Sequence, residues 1–119
     1  MTHVPLATVT PPGDPEITTL PAEIDILNAD RTSYELRAAF RPGVTVVIAD
    51  MTQTTFADLA AIRALLTARN TAAASQAELR LVIPPGPVLR VLQITALDRH
   101  LQIYPTLNAA LSNKTPDGT

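Results

Sequence analysis

The chain has 119 residues, 46% of them hydrophobic, with nine basic residues against eleven acidic ones, a net charge of -2 and no Cys. That length suits a single domain over residues 1–119, since domains of this size bury roughly two thirds of their unfolded surface. The charge balance, with no basic block to track phosphates, argues against nucleic-acid binding, and the lack of Cys excludes disulfides, thiolate metal sites and thiol nucleophiles.

In chain order, Val4 to Val9 and Ile17 to Ile24 read as two early strands, separated by the turn-forming run Pro11-Pro12-Gly13-Asp14-Pro15. Pro5 and Pro21 then belong at sheet edges, because proline cannot donate to a ladder. Asn28 is placed to cap a helix carrying Ala29, Thr32, Leu36, Ala39 and Phe40 at helical spacing, which Pro42-Gly43 stops. Val44 to Ala49 is too short for a helix and rich in β-branched residues, so it is expected to be the central strand, buried on both faces under helices. Asp58 is placed to cap a second helix with Ile62, Leu65, Leu66, Ala72 and Ala73 on one face.

The pattern then repeats. Leu79 to Ile83 reads as a strand, Pro84-Pro85-Gly86 as a breaker, and Pro87 as the first turn of a helix with Val88, Val91 and Leu92. Leu101 to Tyr104 reads as a short strand, and Pro105 opens a last helix through Leu107, Ala110 and Leu111. The ordered core is expected over about residues 4–112, and the polar stretch 113–119 is expected to be flexible. The order ββαβαβαβα predicts an α/β fold with a mostly parallel sheet of four to five strands, right-handed crossovers and four helices.

This order, with particular residues at its joints, resembles the STAS domain of the anti-sigma factor antagonist family. The resemblance covers about Ile17 to Leu111. Family members carry Gly-Glu-Leu-Asp at the end of the second strand, where this chain has Ala22-Glu23-Ile24-Asp25. They end the central strand in Asp, then have a polar loop, a Phe, and Asp-Ser-Ser-Gly or Asp-Ser-Ala-Gly opening the second helix. Here Asp50 is followed by Met51-Thr52-Gln53-Thr54-Thr55-Phe56-Ala57 and then Asp58-Leu59-Ala60-Ala61. The C-terminal pattern stands as Val88-Leu89-Arg90-Val91-Leu92, Ala96-Leu97-Asp98, Leu101-Gln102-Ile103-Tyr104 and Ala109-Ala110-Leu111.

The resemblance implies a protein-binding module with a SpoIIAA-like fold whose partner is an anti-sigma factor of the histidine-kinase-like ATPase type. It also implies a partner surface formed by Glu23, Asp25, Thr54, Thr55, Asp58, Leu59, Ala60 and Ala61. In the family, the first Ser after the loop Asp is phosphorylated by that partner. Leu59 holds its place, and Ala61 holds the place of the Gly, so the usual switch is missing. The alternative is a scaffold STAS domain assembling with other STAS proteins in a stress-signalling or transporter-regulating complex.

Each residue also has a plainer reading. Asp58 is either a helix cap alone or part of the partner surface, and Leu59 either faces solvent or rolls toward the stripe of Ile62 and Leu66. Asp50 suits an Asx turn, or a ligand at the carboxyl end of the sheet. Thr52, Thr54 and Thr55 supply the hydroxyls of this loop as turn partners or as phosphate acceptors. Glu23 and Asp25 either present negative charge to a basic partner or simply end a strand in solvent.

His3 and His100 have no third ligand at metal spacing, and Asp50 and Asp58 have no His or Lys placed to make a base or nucleophile. The expectation is a non-enzymatic protein without metal or cofactor. No apolar run nears the roughly 18 residues that span a bilayer, and Met1 to Val4 does not read as a signal peptide, so a cytoplasmic chain without membrane contact is expected.

Overall fold

The structure, a computed structural model, describes residues 14–112. The expected strand Val4 to Val9 and the tail 113–119 lie outside them. Four strands form one sheet in the order β1-β3-β5-β6, every pairing parallel. These are β1 (Glu16–Thr19), β3 (Val46–Asp50), β5 (Glu78–Val82) and β6 (Gln102–Tyr104). Two short segments, β2 (Glu23–Ile24) and β4 (Phe56–Ala57), pair in parallel as a separate small sheet. The helices are α1 (Ala29–Ala38), α2 (Leu59–Ala74), α3 (Pro87–Ile94) and α4 (Leu107–Ser112).

Ile17 to Ile24, expected as one strand, is divided between two. The ladder with β3 ends at Thr19, Pro21 stands between two strands and not at a sheet edge, and Glu23–Ile24 turns away to pair with Phe56–Ala57. Proline breaks the run because it has no N–H for the ladder. The segment Phe56–Ala57, to which the sequence assigns no element, is thereby a strand. Leu20 and Ile24, one on each side of the break, are both fully buried, so the bend keeps both apolar side chains in the core.

Val46 to Ala49 is buried throughout, as a central parallel strand requires. Its alternating side chains feed two cores. Val47 and Ala49 join Leu36 of α1, Leu65 and Ala68 of α2 and Leu92 of α3 in the larger one. Val46 and Ile48 face the other way and pack with Val82 and with Ala110 of α4. Three helices therefore cover one face of the sheet and α4 covers the other. On α2 the buried stripe is Ala61, Ile62, Ala64, Leu65, Ala68 and Ala72, whereas Ala73 is exposed, as is Val91 on α3.

The α4 face also buries a charge that the strand pattern Leu79 to Ile83 did not single out. Arg80 is 2% exposed, with Nη2 2.6 Å from Glu78 Oε1 and Nη1 donating to the Ala110 carbonyl at 2.7 Å. Gln102 Nε2 donates to the other Glu78 oxygen at 2.7 Å, and the Tyr104 hydroxyl donates to Gln102 Oε1 at 3.2 Å. The arginine lies in register with Ile48 and Gln102, so its guanidinium is pinned between strand and helix. A buried charge is tolerated only when paired and hydrogen-bonded in this way.

Candidate functional site

The carboxyl ends of β1 and β3 lead into the loops that carry most of the residues singled out from sequence. After β3, Asp50 Oδ1 accepts from the Thr52 amide at 3.0 Å, closing an Asx turn. Thr54 is buried, and its hydroxyl donates to the Pro21 carbonyl at 2.8 Å. Thr55 remains exposed while its amide and hydroxyl both donate to the Ala22 carbonyl. Gln53 Nε2 donates to the Leu20 carbonyl at 2.8 Å. The 51–55 loop is thus stitched to the bend between β1 and β2, and β4 follows in register with β2.

Asp58 sits in extended conformation at the N-cap of α2. One carboxylate oxygen, Oδ1, accepts from the Ala61 amide at 3.0 Å, the bond a capping aspartate is expected to make. The other, Oδ2, accepts from the Ile26 amide at 3.2 Å, while the Asp58 amide donates to the Ile24 carbonyl at 3.2 Å. The cap therefore also ties the 25–28 turn to the start of α2.

That turn differs from the sequence expectation for Asn28. Asn28 occupies the N-cap position of α1 but makes no side-chain capping bond. Its Oδ1 accepts from the Asp25 amide at 2.9 Å and its Nδ2 donates to the Glu23 carbonyl at 2.9 Å. Asp25 Oδ1 accepts from the Leu27 amide at 2.9 Å, and the Asp25 carbonyl accepts from the amides of Asn28 and Ala29. With the bond from Ile26 to Asp58, every backbone N–H from Asp25 to Ala29 has a partner. The amide of Asn28 reaches backward because the tight turn brings Glu23 and Asp25 nearer than the helix interior.

This frame holds large apolar side chains in solvent. Ile26 is 78% exposed, Leu27 89%, Leu59 59% and Phe56 50%. Leu59 thus faces outward, beside the turn whose backbone Asp58 holds. Sequence reasoning missed Ile26 and Leu27. The available signal was an apolar pair in a turn, between Asp25 and Asn28, fitting neither the strand alternation before it nor the helical stripe after it.

Of the residues expected at a partner surface, Glu23, Thr55 and Leu59 are exposed and Asp25, Asp58 and Ala60 half-buried, gathered by β2, β4 and the first turn of α2. Thr54 and Ala61 are buried beneath them. Ala22, where the resemblance expects Gly, does not have a positive φ, so its methyl group adds no backbone strain. Among the described residues no helix is long and apolar enough to cross a membrane, and no three His, Asp or Glu side chains group as metal ligands.

A family model described as STAS domain matches residues 7–110. Solved structures share the architecture at low identity. An anti-sigma factor antagonist from Mycobacterium paratuberculosis aligns with TM-score 0.72 and 20% identity over 84% of this chain and 85% of that one. A sulfate transporter family protein from Wolinella succinogenes aligns with TM-score 0.74 and 16% identity over 89% and 88%. The anti-sigma factor antagonist SpoIIAA in its unphosphorylated form aligns with TM-score 0.62 and 19% identity over 82% and 84%. No curated protein matches the chain in sequence. At these identities the structural likenesses carry the fold alone.

Proposed function

Since the chain belongs to the STAS domain family, we propose that it is a protein-binding module of the anti-sigma factor antagonist kind, engaging a histidine-kinase-like anti-sigma factor through the N-terminal end of α2. The observation that carries this reading is the exposed set Ile26, Leu27, Phe56 and Leu59 on a hydrogen-bonded frame. Clustered apolar exposure on a small protein marks an interaction surface. Burying one such side chain in a partner pocket contributes about 1.5–3 kcal/mol. Glu23 and Asp25 lie at the margin and suit a basic rim on the partner.

Control at this surface differs from the family pattern. Leu59 has no hydroxyl, so the charge of about -1.5 to -2 that a phosphoserine would add at a helix N-terminus is never placed there. The proposed module is held in its binding-competent form. Thr52 and Thr55 are the exposed hydroxyls of the neighbouring loop; the Thr54 hydroxyl would have to leave the Pro21 carbonyl to accept phosphate.

The test is titration of the purified chain against purified histidine-kinase-like anti-sigma factors, with and without prior incubation with ATP and mass-spectrometric mapping of phosphate. Binding unaffected by ATP, and weakened tenfold or more by Leu27→Asp and Leu59→Asp, is the expected result. Stoichiometric phosphate on Thr52, Thr54 or Thr55 that abolishes binding would sink the unswitched reading. Equal binding by wild type and both variants would show that this end of α2 is not the interface. The likeness to a sulfate transporter family protein favours a second reading, a regulatory domain in a transporter-linked assembly, and complete failure to bind any anti-sigma factor would turn attention to it.

A further inference from the structure

At the opposite end of the sheet, the residues that begin β3, β5 and β6 meet the C-terminal turn of α2 and the 3-10 turn Leu97–His100. Between them is a cleft of about 580 Å³, within the size range of small-molecule sites. Arg69 from α2 and Arg99 and His100 from the 3-10 turn line it. Neither arginine has a carboxylate within ion-pair distance among the described residues; Arg69 donates one N–H to Asn70 at 3.2 Å.

Glu78 is the one acid among the described lining residues, and both its oxygens are engaged, by Arg80 at 2.6 Å and by Gln102 at 2.7 Å. The carbonyls at the end of α2 would otherwise present a negative pole. Two of them are occupied instead: Ala72 accepts from Ser75 and Ala77, and Ala73 accepts from Gln76, whose φ of 58° makes the turn. The cleft thus presents positive charge in a chain of net charge -2. Leu79 and Leu101 give it an apolar wall.

We propose that this cleft binds a small organic phosphate, the phosphate received by Arg69 and Arg99 and the apolar body lying against Leu79 and Leu101. Guanidinium groups suit this role because their planar forks donate paired N–H bonds to phosphate oxygens. The site is remote from the partner surface and does not depend on what that surface binds.

Phenyl phosphate tests the proposal directly, with benzyl alcohol as the uncharged comparison, each titrated into the 15N-labelled chain and followed by amide NMR. Phenyl phosphate is expected to shift amides in 76–79 and 99–102 saturably. Arg69→Ala combined with Arg99→Ala should weaken that binding tenfold or more while leaving the rest of the spectrum, and hence the fold, in place. Arg99→Glu alone should do likewise by reversing one charge. Absent shifts, equal response to benzyl alcohol, or undiminished binding by these variants would overturn the proposal.

Discussion

Asp58 accepts two backbone N–H bonds on two different oxygens, one within its own helix and one from Ile26, 32 residues away in sequence. Replacing a capping aspartate by alanine costs about 0.5–2 kcal/mol, and here the second bond is lost as well. Asp58→Ala is therefore expected to destabilise the chain by about 1–2 kcal/mol, measured by urea denaturation. Asp58→Asn should fall between, since its amide keeps one acceptor oxygen but turns a donor toward one of the two amides. Leu59, one residue on, is expected to behave oppositely. Its side chain stands in solvent, so Leu59→Ser should change stability by no more than about 0.5 kcal/mol while weakening the proposed partner complex, and a large loss of stability would show that Leu59 packs inward.

A six-residue helix such as α4 is too short to hold itself together in water, so its place on the sheet depends on what it packs against. Ala110 gives it one buried apolar contact, and Arg80 Nη1 holds the Ala110 carbonyl near its C-terminal end. Arg80→Met would leave that carbonyl without this donor and Glu78 without its nearest cation. Breaking a buried pair by removing one partner costs about 3–5 kcal/mol; because the Glu78 side chain retains 12% exposure, about 2–4 kcal/mol is expected, again from denaturant midpoints. A midpoint unchanged from wild type would show that the arginine is structurally idle.

The central strands β3 and β5 are legible in the sequence because buried parallel strands are continuous apolar runs with breakers between them, whereas β1, with alternate residues exposed, was merged with β2 into one run. Arg80 was passed over inside Leu79 to Ile83 because period and hydropathy do not say where a guanidinium finds a carbonyl. The pair β2 and β4 was illegible for a different reason: two residues are too few to show alternation, and their pairing is set by contacts more than 30 positions apart in the chain. Asp58, Leu59 and the loop threonines could be picked out by motif, whereas Ile26 and Leu27 belong to no period at all.

The strands separate the apolar surface from the cationic cleft by the length of β3, roughly 17 Å for five residues. The two ends share no residue, so their ligands should bind independently. Leu27→Asp combined with Leu59→Asp is expected to change the affinity for phenyl phosphate by less than about twofold, an energy below RT. A larger change would reveal coupling through the sheet. The turn from Asp25 to Ala29, with every backbone N–H partnered, bears on association as well. Fixing the backbone of a loop residue on binding costs about 1–2 kcal/mol in conformational entropy, and a segment already fixed in the free protein escapes that cost. In the proposed complex, Ile26 and Leu27 would thus meet the partner on a backbone whose amides are already bonded. Their amides should therefore gain little further protection from deuterium exchange when a partner is added, and a large gain would show that binding orders the turn.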